Sequence, residues 1–174
     1  MTEVLIALGS NLGDRRQWLR QAVAGLSSGG LEITGGSALF ETEAVGIDGG
    51  ARFLNAVISA KTELSPRRVL QACLATERVA GRERSGGDAA STERQSWSSR
   101  TLDLDLLKYG ELAIAESDLV VPHPRITERA FVLAPLREVA PQWLLQGISV
   151  SCWYDRVAQS DVNRLDGTEN WFWH

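Results

Sequence analysis

Asp103 and Asp105 stand two residues apart in the run RTLDLDLLKYG, which is otherwise rich in leucine. Side chains alternate across a β-strand, so Leu102, Leu104 and Leu106 point to one face while Thr101, Asp103 and Asp105 point to the other. A rise of about 3.3 Å per residue sets the two aspartate Cβ atoms roughly 6.5 to 7 Å apart, and rotamers can bring the carboxylates closer. Like charges that near repel and need a cation or solvent between them. A strand whose second face is simply wet meets that need. So does Mg2+, which is typically held by one or two carboxylates together with substrate phosphates, and Arg100 just before the pair offers a planar fork for phosphate oxygens. Two metal ions about 3.5 to 4 Å apart can share such a pair. Together these residue types point to a phosphoryl-transfer site.

Other candidates flank the pair. Arg82 and Arg84 open the long polar stretch ERSGGDAASTERQSWSS, and Trp97 and Arg100 close it. A stretch of that length inside a compact domain is usually a functional lid or a disordered insertion. As a lid it would carry cations and a stacking aromatic over a nucleotide; as an insertion its arginines are solvated. Downstream, VPHPRITERAF supplies His123, Arg125, Arg129 and Phe131, with the histidine held between two prolines in a stiff turn. Such a histidine serves a site or simply bonds to backbone. In FLNAV, Phe53 and Asn55 share a strand face; an amide beside an aromatic ring suits a flat heterocycle, and a polar sheet edge gives the same pattern.

These residues need elements to position them. VLIALGS reads as a strand ending in a turn, and Asp14 as the N-cap of a helix in which Trp18, Leu19, Ala22, Val23 and Leu26 recur at helical spacing. The glycines around Ser10 form no Gly-Lys-Ser/Thr ending and no G-x-G-x-x-G pattern, so that loop reads as structural. LEITGGSALFET and ARFLNAVISAKTEL read as two strands joined by EAVGIDGG. Ser65 and Pro66 open a second helix with Val69, Leu70, Cys73, Leu74 and Val79 on its buried stripe. TLDLDLLKYGELAI is again strand, and RAFVLAPLREVAP is a strand or helix entering a short helix. The order β-α-β-β-α-β is that of a split βαβ, ferredoxin-like α+β domain, with helices on one face of a largely antiparallel sheet. The aromatic tail from about Gln146 either caps the core or packs on a partner.

The whole chain bounds the function further. Its 174 residues, 44% hydrophobic, suit one domain over 1–174 that folds without staples. No apolar run approaches the ~20 residues that cross a bilayer, and the N-terminus lacks a signal-peptide pattern, so the expectation is a cytoplasmic protein with no membrane partner. Cys73 and Cys152 are far apart and read as free thiols. A net charge of −4 argues against a nucleic-acid partner.

ALGSNLGDR after the first strand, FLNAV, the E-x-x-x-G-R run from Glu77 to Arg82, the W-x-x-R-T-L-D-L-D-L-L-x-Y-G run and VPHPRITERAFVLAPLREVAP resemble, in that order, the 6-hydroxymethyl-7,8-dihydropterin pyrophosphokinases of folate biosynthesis. The resemblance runs from about Val4 to Trp143, leaving a tail over about 146–174. It implies transfer of pyrophosphate from ATP to the pterin hydroxymethyl group with release of AMP, by a monomer acting on small molecules. It also implies a role for each candidate. Asp103 and Asp105 would hold two Mg2+ ions, with Arg82 and Arg100 steadying the phosphates. Glu77, Arg84, Trp97, His123 and Arg129 would line the nucleotide side. Phe53 and Phe131 would sandwich the pterin, while Asn55 and the segment from Thr42 to Val45 would read its edge. Three stretches depart from the family pattern: the stretch between Arg82 and Trp97 is longer than the common form, with Arg94 as the candidate for a basic residue often found in its middle; Trp97-Ser98-Ser99-Arg100 replaces a frequent Trp-Gly-Pro-Arg; and Glu43 and Ala44 stand where prolines are frequent. The alternative is a slow or non-catalytic paralogue that binds pterin or nucleotide.

Overall fold

A computed structural model describes residues 1–43, 51–81, 101–157 and 161–173. Strand β1 (Thr2–Ser10) leads into helix α1 (Arg15–Ser28), whose N-cap Asp14 accepts a bond from the Gln17 N–H, as the sequence predicts. The next apolar run is broken into β2 (Glu32–Gly36) and β3 (Leu39–Thr42), and both parts pair with β4 (Phe53–Thr62). Helix α2 (Pro66–Val79) and β5 (Asp103–Tyr109) complete the predicted series. The main sheet runs β10-β3-β4-β1-β5 with every neighbour antiparallel, and β1 lies between β4 and β5. This is the split βαβ arrangement, with one strand added at the edge.

Beyond β5 come a hairpin of β6 (Ile114–Glu116) and β7 (Leu119–Val121), a 3-10 turn at Ile126–Glu128 and helix α3 (Ala130–Val139). The segment left open between strand and helix is thus helical, with Pro135 inside it. A second hairpin, β8 (Leu144–Leu145) with β9 (Ile148–Ser149), precedes α4 (Val150–Tyr154) and β10 (Val162–Leu165). A 3-10 turn at Trp171–Trp173 follows.

Alternation divides the sheet into two faces. Val4, Ile6 and Leu8 of β1 join Leu54, Ala56 and Ile58 of β4 and Leu104 and Leu106 of β5 in one core with α1 and α2. Leu5, Val57 and Leu107 face the other way and pack against Val132, Leu133 and Leu136 of α3. Helices therefore cover both faces rather than the one expected, because Leu5, Val57 and Leu107, which alternation turns to the second face, give α3 an apolar seat there. Trp171 and Phe172 belong to the first core, so within this chain the tail caps the core.

Cys73 is 1% exposed on α2, and burial, reinforced by Glu77 and Asp105, pushes its thiol up to about 12. Cys152 is exposed. A thiol reagent at neutral pH should therefore label one cysteine in the native protein and both after unfolding, with Cys152 carrying the native label by peptide mapping. Rapid native labelling of Cys73 would contradict this packing.

Candidate active site

The second sheet face is covered by α3 only in part, and the polar residues gather on the remainder. Cross-strand register defines their rows. Gly9 of β1 stands between Asn55 of β4 and Asp103 of β5, and Phe40 of β3 lies beyond Asn55. One step along β1, Ala7 stands between Val57 and Asp105, and at the other end Thr42 pairs with Phe53. Phe53, Asn55, Thr42, Asp103 and Asp105 thus line one surface, as alternation predicts for each strand taken alone. The two aspartates are half-buried, and Leu102, Leu104 and Leu106 enter the opposite core.

Gly9 has no side chain to fill the row between Asn55 and Asp103. A Cβ there would meet Asn55 Oδ1 at 3.2 Å. Asn55 is itself buried and donates through Nδ2 to Thr42 Oγ1 at 2.9 Å, which fixes the two polar groups relative to each other. The sequence reads the glycines around Ser10 as structural, and Gly9 lies within β1. Only the register of three strands reveals its place, and no single strand's sequence carries that signal.

The loop after β7 brings in the cationic side. The Arg125 backbone N–H donates to His123 Nδ1 at 3.3 Å, which leaves Nε2 to carry the imidazole proton. Burial pushes the His123 pKa below its ordinary value; Asp105 raises it, Arg129 and Arg125 lower it, and Asp103 raises it again. Burial, and then Arg125, lower the Arg129 pKa as well, against the pull of Asp105 and Asp103. These mutual effects set His123 and Arg129 within electrostatic reach of both aspartates. The Arg129 guanidinium lies 5.7 Å from the centroid of the Phe131 ring at the start of α3. Its Nε is buried with no hydrogen-bond partner among the described residues, a donor whose desolvation an acceptor oxygen would offset.

Because the folded-state pKa of His123 is depressed, its neutral form is favoured by folding. The stability this contributes is complete above the free-histidine value of about 6.5 and drains as pH falls through the lower folded value. In the metal-free protein, the His123 ring resonance, assigned against His123→Gln, should titrate below about 6.5. A midpoint above that value would contradict the packing of this loop.

Glu77 reaches β5 from α2. It is 2% exposed, and its Oε1 accepts the Leu104 N–H at 2.8 Å from beneath β5. It therefore holds the peptide between the two aspartates. Val69, Cys73 and Glu77 are the buried residues of α2 and follow one another at intervals of four, a spacing that already placed Glu77 on the buried stripe. Arg82, Arg84, Trp97, Arg100 and Val45 lie outside the described residues.

The donor set can be tested against a metal. Among the described residues no group of three or more His, Cys, Asp or Glu side chains forms a metal cage. Two half-buried carboxylates on one face, with no sulfur or third carboxylate grouped with them among the described residues, fit Mg2+, whose remaining coordination is ordinarily filled by water and substrate phosphate. They do not fit a structural zinc site. Among the described residues no helix is long and apolar enough to cross a membrane.

The chain is similar to proteins of known name. Residues 5–141 match the family model for 7,8-dihydro-6-hydroxymethylpterin-pyrophosphokinase. The 2-amino-4-hydroxy-6-hydroxymethyldihydropteridine pyrophosphokinase of Bacillus subtilis is 43% identical over 138 residues, covering 79% of this chain and 77% of that one. The protein of the same name from Methylorubrum extorquens is 35% identical over 167 residues, covering 95% of this chain and 100% of its own length. The crystal structure of wild-type Plasmodium falciparum HPPK-DHPS is similar in fold, with a TM-score of 0.64 at 13% identity; the match covers 89% of this chain and 44% of that longer one.

Proposed function

Since the chain belongs to the 7,8-dihydro-6-hydroxymethylpterin-pyrophosphokinase family, we propose that it moves a pyrophosphoryl group from ATP to the hydroxymethyl oxygen of 6-hydroxymethyl-7,8-dihydropterin, releasing AMP. The observation that carries this reading is the row Asn55–Gly9–Asp103, with Asp105 one step along, because it sets a heterocycle-reading amide beside a paired-carboxylate phosphate site on one sheet face.

In this reading Asp103 and Asp105 bind two Mg2+ ions together with the triphosphate. When bound, the metal neutralises phosphate charge and orients the transferring group. Arg129 donates to phosphate oxygens through the nitrogen that is buried and unpartnered, and His123 does so through Nε2–H. Both are desolvated, which strengthens their bonds to an anion. Phe53 and Phe131 hold the pterin ring, and Asn55 and Thr42 read its edge. The pterin hydroxyl oxygen forms its bond to the β-phosphorus as the bond from that phosphorus to the AMP oxygen breaks. Alignment and charge neutralisation dominate such a step, so no covalent enzyme intermediate is needed. Arg82 and Arg100 as phosphate contacts, Arg84 and Trp97 on the nucleotide side and Val45 on the pterin side follow from the family resemblance alone. We place the reaction in the cytoplasm, carried out by a monomer.

The test is to incubate the protein with ATP, Mg2+ and the reduced hydroxymethyl pterin and to follow AMP. Pterin-dependent AMP release is the expected result. None at high protein concentration would favour a paralogue that binds without turning over.

A further inference from the structure

Helix α3 and the C-terminal residues converge on the break between β2 and β3. Ser37 and Ala38 lie between the two strands, and side chains from elsewhere reach the Ser37 carbonyl and the N–H groups of Ala38 and Leu39. The Ala38 N–H donates to Glu138 Oε2 at 2.8 Å, and the Leu39 N–H to Thr168 Oγ1 at 2.9 Å. The Trp171 indole N–H donates to the Ser37 carbonyl at 2.9 Å. Thr168 and Trp171 are buried, and the Thr168 hydroxyl donates to the Leu165 carbonyl at 2.6 Å. Arg164 of β10 reaches Glu138 Oε1 at 2.6 Å, tying the strand to α3.

Immediately past this anchored break, β10 pairs with β3 from Leu39 to Thr42, with Val162 opposite Thr42. The Phe172 ring lies so close over Gly36 that a Cβ there would meet it at 2.8 Å. Side chains from both ends of the 162–173 segment therefore fix β3, and β3 carries Thr42, the hydrogen-bond partner of Asn55.

We infer that residues 162–173 are a brace for β3, and that Thr168 and Trp171 are positioning residues for the pterin side of the site. The inference rests on the proposed reading of Thr42 and Asn55 as pterin contacts. It assigns a task to a segment that lies outside the 5–141 stretch matched by the family model. Because β4 and β1 lie between β3 and β5, the brace acts on the pterin and leaves the carboxylates of β5 in place.

Thr168→Val keeps the shape and removes the acceptor of the Leu39 N–H; Trp171→Phe keeps a ring and removes the indole donor. Each full-length variant is compared with the wild type by hydrogen exchange of the peptide spanning 38–42 and by the Kd for 6-hydroxymethylpterin and for a non-hydrolysable ATP analogue with Mg2+. Expected are exchange of the 38–42 amides faster by about tenfold, with β1 unchanged, and pterin binding weaker by about tenfold with nucleotide binding unaltered, the scale of one lost buried hydrogen bond. Unchanged exchange at 38–42 in both variants overturns the brace, as does equal weakening of both ligands together with general loosening of β1. If Thr168→Val does not fold, Trp171→Phe alone decides. A wild type that binds no pterin overturns the proposed function instead, and the exchange measurement, which uses no ligand, still decides the brace.

Discussion

Asp103→Ala and Asp105→Ala each reduce pterin-dependent AMP release by at least about a thousandfold, the scale seen when a main electrostatic contact to a developing charge is removed. The unfolding free energy stays within about 0.5 kcal/mol of wild type, the usual range for substitutions outside the core. The reason is the division of labour along β5. Leu102, Leu104 and Leu106 carry the strand's packing on the face covered by α1 and α2, while the aspartates are half-buried on the other. Losing one of two neighbouring like charges also relieves repulsion in the metal-free protein. Asp103→Asn and Asp105→Asn should behave alike, since an amide keeps the shape and loses the charge. A folded Asp105→Ala enzyme with near-normal turnover would remove the pair from the reaction.

Glu77→Ala destabilises the fold by about 1–3 kcal/mol, because the Leu104 N–H loses its acceptor in a site from which water is excluded. Turnover falls with it, and the loss appears as a raised Mg2+ requirement rather than a raised KM for pterin, since the displaced peptide joins Asp103 to Asp105. Glu77→Gln retains an oxygen that can accept the same N–H, and it restores most of the stability. This separates a positioning role from direct contact with nucleotide. Direct contact would raise the KM for ATP in Glu77→Ala and leave the unfolding transition where it was.

The two-residue alternation of TLDLDLL made the aspartates legible, because a face reversal on one strand needs no knowledge of its neighbours. The strand and helix order was legible for a similar reason: Asp14, Ser65 and Pro66 mark helix starts by local chemistry, and both helices begin there. What escaped was non-local. Gly9 matters through its partners Asn55 and Asp103, which lie 46 and 94 positions away and meet it only in the folded register. The four residues of β10 carry no amphipathic pattern strong enough to announce a strand, and their partner β3 lies about 120 positions earlier. Glu77 follows Val69 and Cys73 at helical spacing, so its burial was open to a periodicity reading, whereas the Leu104 N–H that it accepts lies 27 positions on. Helix α3 stayed ambiguous because Pro135 argues against a helix interior, and burial of Val132, Leu133 and Leu136 on the sheet overrides it.

A crystal grown with Mg2+ and a non-hydrolysable ATP analogue bears on the paired carboxylates without any kinetic model. Metal density coordinated at about 2.0–2.1 Å by oxygens of both Asp103 and Asp105 and by phosphate oxygens of the nucleotide is the expected result. Nucleotide bound with its metal elsewhere, and both aspartates turned to solvent, would contradict it.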